Sequence, residues 1–73
     1  MKPRDIKKIR GDLTRAVFAM MLGTSEVTVW RWENGSSKPE GGTLRLLELM
    51  ESNRKETIRL LSKRIQDGIG DMV

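Results

Sequence analysis

An all-α bundle of five short helices is predicted by three features of this 73-residue sequence. Apolar residues recur at helical spacing throughout, and no stretch alternates for long with the two-residue period of a strand. Capping residues and glycines punctuate that pattern at short intervals. Cysteine and histidine are both absent, so neither a disulfide framework nor a zinc site can staple so small a domain, and helix packing or oligomerisation must stabilise it.

The first helix is predicted over residues 4–10, with Ile6 and Ile9 on one face and Gly11 as its stop. Thr14 is a good N-cap for a second, over 15–22, whose Val17, Phe18, Met21 and Leu22 form a broad inner face. Gly23 breaks that helix and Ser25 caps a third, over 26–33. The stretch NGSSKPEGG is rich in turn formers and reads as a loop. A fourth helix over 43–51 carries Leu44, Leu46, Leu47, Leu49 and Met50. Asn53 with Glu56 three residues on has the pattern of a capping box, opening a fifth helix with Ile58, Leu61 and Ile65 on one stripe. Past Gln66 the sequence DGIGDMV has two glycines and little to bury. Residues 1–66 are therefore expected to form one domain with a helix-turn-helix at 15–33, and residues 67–73 a frayed tail.

Fourteen Lys and Arg against ten Asp and Glu give a net charge of +4. Such a balance suits a polyanionic partner, although solvated helix faces produce a modest basic excess too. The longest apolar run, AVFAMML, is far too short to span a bilayer, and no signal region opens the sequence. A cytoplasmic protein without membrane contact is the expectation. No catalytic residue, metal ligand or cofactor is expected: His and Cys are missing, and caps and turns account for the serines. The acidic residues sit at spacings that suit helix-surface pairs such as Glu51 with Lys55.

Two of the three aromatic residues, Trp30 and Trp32, lie two positions apart on the third helix. Val29 and Trp32 share a stripe at i, i+3 and are predicted to face the core. Trp30 falls off it, so it either meets a partner or folds back over the neighbouring loop or first helix. Two helices of about two turns joined by a glycine-centred turn have the geometry of a DNA-binding helix-turn-helix. Arg31 has the donors to grip guanine O6 and N7, Glu26 can accept from a cytosine N4 amine, and Val27 can pack on a thymine methyl. A carboxylate in a first helical turn is also favoured by the helix dipole alone.

Residues 13 to 51, LTRAVFAMMLGTSEVTVWRWENGSSKPEGGTLRLLELME, resemble the Cro and lambda-repressor type of helix-turn-helix, the XRE family. The shared pattern is Leu-Thr-x-x-x-Phe-Ala before a Gly-x-Ser turn, a valine three residues before Trp-Glu-x-Gly, then Lys-Pro and a leucine-rich helix. The continuation most resembles small regulators and antitoxins of the HigA or MqsA kind. The resemblance implies a lambda-repressor-like DNA-binding domain that places Glu26, Val27, Trp30, Arg31 and Asn34 against bases. It makes Thr14, Arg15, Ser25, Thr28, Ser36 and Lys38 phosphate contacts. Where this chain has Arg15 the family usually has Gln. Glu33 resembles the family's buried glutamate that pairs with a first-helix Arg, here Arg10; surface solvation is the other reading. Implied partners are double-stranded DNA, a second copy of the chain on a palindromic operator and, in the antitoxin reading, a toxin protein. The function expected is an autorepressor, with toxin neutralisation as the alternative. Ile58, Leu60, Leu61, Ile65 and Ile69 are surplus to the DNA-binding unit and suit core capping, dimerisation or a toxin.

Overall fold

Local chemistry sets most helix ends in the computed structural model, which describes the backbone of residues 1–71 and side chains through Lys63. The order is α1 (Pro3–Arg10), α2 (Arg15–Leu22), α3 (Glu26–Glu33), α4 (Gly41–Ser52) and α5 (Arg54–Asp71), with no strand among the described residues. The protein is thus all-α with five helices, as predicted. Thr14 Oγ1 accepts from the Val17 amide at 3.1 Å and starts α2, and Ser25 Oγ accepts from the Thr28 amide at 3.1 Å and starts α3. Between them Gly23 adopts φ 71°, a left-handed conformation open to glycine at no steric cost. From there its amide and that of Thr24 reach back to the last turn of α2.

The core draws on every helix: Ile6 and Ile9 from α1, Phe18, Ala19, Met21 and Leu22 from α2, Val29 and Trp32 from α3, Leu47 and Met50 from α4, and Leu61 from α5. Phe18, Ile6, Leu47, Met50 and Val29 lose essentially all contact with solvent. Each such side chain contributes about 1.5 to 3 kcal/mol by leaving water. Leu13, Leu46 and Ile58 pack against this cluster from its edge. Pro39 is also buried, so the loop after α3 returns to the body of the domain.

Several expectations are corrected. Val17, placed on the inner face of the second helix, remains exposed, because that helix turns a narrower stripe to the core than its apolar content suggested. In α2 the small Ala19 takes the buried place beside Phe18. Helix α4 begins at Gly41 rather than Thr43; two glycines weaken a first turn by about 1 kcal/mol each, and the burial of Leu47 and Met50 further along outweighs that. The capping box at Asn53 is not made, since Glu56 is drawn to Arg59 instead, at 3.2 and 2.5 Å. Glu51 and Lys55 are not among the ion pairs of the described residues. The α5 backbone continues past Gln66 to Asp71. Residues 72 and 73, the end of the stretch expected to fray, lie outside the described residues, as do the side chains of Ile65 and Ile69.

Arg54 ties α5 to the rest of the fold. Its guanidinium donates to the carbonyls of Ile9 and Arg10, both at 3.0 Å, and to Asp12 Oδ1 at 3.2 Å. A cation is thereby placed on the last carbonyls of α1, where the helix dipole favours it. Gly11 makes room: a Cβ there would stand 2.7 Å from Arg54 Nη2, and its φ of 58° disfavours any other residue.

Candidate nucleic-acid interface

Helical periodicity divides α3 and its C-cap Asn34 between two faces. Val29, Trp32 and Glu33 face inward and are buried. Glu26, Val27, Trp30, Arg31 and Asn34, at successive one- and three-residue steps, form a continuous exposed stripe on the opposite side. Trp32 is 5% exposed and Trp30 is 48% exposed, so the two tryptophans separate as the periodicity predicted.

The inward edge is held by charge. Glu33, its side chain entirely buried, receives Arg10 Nε at 3.0 Å on one oxygen and Arg10 Nη2 at 2.9 Å on the other. This is the two-pronged geometry that makes arginine–carboxylate pairs strong and directional. Arg10 Nη1 also donates to the Leu13 carbonyl at 2.9 Å, so one guanidinium joins α1, the turn before α2 and the end of α3. The pairing of Glu33 with Arg10 therefore prevails over solvation. Sequence reasoning missed a second cation: Arg15 Nε, itself buried, lies 3.5 Å from Glu33 Oε2. Its side chain is 38% exposed, so the root of Arg15 is anchored while its outer part remains on the surface.

Arg15, Glu26, Val27 and Trp30 together line an open cleft of about 260 Å³ between α2 and α3. Trp30 thus shares this cleft with Arg15 at the start of α2. Neither Glu26 nor Arg31 takes part in an ion pair among the described residues, leaving one free carboxylate and one free guanidinium on the stripe. Asn34 is partly committed: its Nδ2 donates to the Trp30 carbonyl at 2.7 Å and closes the helix end, with Oδ1 left as an acceptor.

The remaining site candidates surround that stripe. Thr14 Oγ1 accepts a capping bond and keeps its own proton to donate. Ser25 and Thr28 hydroxyls share one hydrogen bond of 2.8 Å, so one proton of the pair stays free. Ser36 and Lys38 are exposed in the loop after α3, which is steadied by the Ser36 amide donating to the Arg31 carbonyl at 2.9 Å. The cleft gathers Arg15, Glu26, Val27 and Trp30, whereas Arg31, Asn34, Ser36 and Lys38 lie outside its lining. Val17 and Met20, 40% and 60% exposed, add an apolar outer face to α2 that periodicity had assigned in part to the core.

No helix of the described residues is long and apolar enough to cross a membrane. No protein-family model matches the chain, and no solved structure matches it. One curated protein does: over 53 residues, 70% of this chain, it is 40% identical to the antitoxin HigA-2 of Vibrio cholerae serotype O1. The chain spans about half the length of that relative. This five-helix domain with its capped third helix is thus similar, over most of its own length, to a HigA-type antitoxin.

Proposed function

We propose that this protein is a sequence-specific DNA-binding regulator of the Cro and lambda-repressor (XRE) type, which inserts α3 into the major groove and represses its own operon. The observation that carries the reading is the exposed stripe of Glu26, Val27, Trp30, Arg31 and Asn34 on a helix whose other side is locked into the core. A rigid helix with free hydrogen-bonding groups on its outer face is what direct readout requires. Arg31 reads guanine in this scheme, Val27 and Trp30 take apolar base edges, and Thr14, Arg15, Ser25, Thr28, Ser36 and Lys38 hold phosphates. Cytoplasmic action as a homodimer on a palindromic operator follows from the same scheme, since two-fold symmetry sets two copies of α3 about 34 to 36 Å apart, one turn of DNA. The protein works by binding and not by catalysis.

A second reading has its own support. The similarity to an antitoxin favours a toxin protein as a further partner, docked on surface that the DNA scheme leaves unused.

Fluorescence anisotropy against the DNA upstream of the protein's own gene and a shuffled copy, at low and moderate salt, tests the first reading. Preference for the native sequence of about 10³ or more that survives added salt is the expected result. Equal binding that collapses with salt would reduce the protein to a basic surface and direct attention to the toxin reading.

A further inference from the structure

The cleft between α2 and α3 holds an unusual combination of groups, and we infer that it reads 5-methylcytosine in preference to both cytosine and thymine. This inference rests on the proposal that α3 enters the major groove. Cytosine presents an N4 amino donor there, and thymine presents an O4 acceptor beside its C5 methyl. A cytosine methylated at C5 presents the amino donor and the methyl side by side. The cleft offers the complement of that edge: Glu26, whose ionised carboxylate only accepts hydrogen bonds, stands beside two apolar surfaces, Val27 at 57% and Trp30 at 48% exposure.

Each alternative pyrimidine leaves one part of the cleft unused or opposed. Thymine satisfies Val27 and Trp30 but turns O4, an acceptor, toward an acceptor, with no proton between them. Cytosine satisfies Glu26 but leaves the apolar wall facing water. The helix dipole explains why a carboxylate is tolerated in the first turn of α3, but it does not require a valine and a half-exposed tryptophan on the same cleft wall. Glu26 is also free to act, because it makes no ion pair or hydrogen bond among the described residues. Arg15 lines the opposite wall with its Nε 3.5 Å from Glu33, and in the proposed scheme its outer nitrogens hold a phosphate, so they are not offered to the base edge.

The test starts from the duplex that the full chain selects from a random DNA library. Each pyrimidine of that duplex is then replaced in turn by cytosine, 5-methylcytosine, thymine or deoxyuracil, with its partner base adjusted, and Kd is measured for each. At one position per half-site, 5-methylcytosine is expected to bind about tenfold tighter than cytosine and more tightly than thymine. Val27→Ala is expected to erase the advantage over cytosine. Glu26→Gln, whose amide both donates and accepts, is expected to erase the advantage over thymine. Both residues are exposed, so circular dichroism melting of the variants should match the parent. A duplex preferred over its shuffled copy but bound equally well with all four pyrimidines, or with thymine equal to 5-methylcytosine at every position, would overturn the inference and leave DNA readout standing. Failure to select any preferred duplex would overturn both, and would be seen before any methyl group was introduced.

Discussion

Trp32 and Trp30 occupy the same eight-residue helix two positions apart, yet one is sealed in the core and the other lines an open cleft. The difference arises from helix geometry, since a step of two residues turns the side chain by about 200°. It separates a stabilising face from an exposed one along a single element. Val29, Trp32 and Glu33 hold α3 on α1 and α2, and in doing so fix the direction in which Glu26, Val27, Trp30 and Arg31 project. A binding surface needs that rigidity, because groups whose support can shift lose geometric precision.

The contrast is broken most severely at Trp32. Trp32→Ala is expected to cost about 3 to 5 kcal/mol by leaving a cavity in the core, whereas Trp30→Ala should stay within about 0.5 kcal/mol of the parent in urea denaturation. Similar midpoints for the two variants would mean that the inward and outward faces had been exchanged.

The buried ion pair comes next. Removing one partner leaves an uncompensated charge, so Glu33→Gln is expected to destabilise by about 3 kcal/mol, with Arg10, 21% exposed, recovering some hydration. The double variant Arg10→Met, Glu33→Leu removes the two-pronged pair but leaves Arg15 without its carboxylate, so it should regain part of that loss. If it does not, the pair holds α3 by geometry that packing cannot replace. The surface pair of Glu56 and Arg59 provides the counterpart. A hydrogen bond from Arg59, and then its charge, holds the Glu56 carboxyl below its ordinary value of 4.5. A carboxyl lowered by folding stabilises above its unfolded pKa, and that contribution fades as pH falls through the folded value. With both groups on the surface, Glu56→Gln should leave the melting curve at neutral pH unchanged.

These residues also show what was legible before folding. Caps at Thr14 and Ser25, the turn at Gly23 and the division of the tryptophans were readable because each depends on neighbours within about one turn. Arg54 was not readable. With Lys55, Arg59, Lys63 and Arg64 it stands in a basic stretch of sequence that suits a solvated face, and only the approach of α5 to the end of α1 gives it the Ile9 and Arg10 carbonyls. Arg15 was read as a surface cation, and its anchorage to Glu33 depends on three helices meeting. Val17 failed for the opposite reason: local pattern placed it inside, but α2 had more apolar residues than its contacts could cover. For the candidate interface, sequence pattern indicated which α3 residues would be exposed, but not that Arg15 would join Glu26, Val27 and Trp30 around one cleft.

On the outer face the comparison continues as one of specificity against general attraction. Arg31→Ala is expected to lower affinity for the preferred duplex by about 1 to 3 kcal/mol and to relax preference at one base pair, because a guanidinium can make two hydrogen bonds to guanine.

Lys38 should give the smallest effect and a different signature. It lies in the exposed loop after α3, where a cation attracts the backbone of any duplex and reads no base. Lys38→Ala should therefore weaken preferred and shuffled DNA alike, leaving their ratio intact and lowering the slope of log K against log salt by about one. Titrations at four salt concentrations separate the two residues: an Arg31 variant whose loss is equal on both duplexes would behave like Lys38, and the stripe would then carry charge and not sequence. The distinction matters for the cleft as well, because a helix that only attracts phosphate does not hold Glu26, Val27 and Trp30 close enough to a base edge for a single methyl group to be felt.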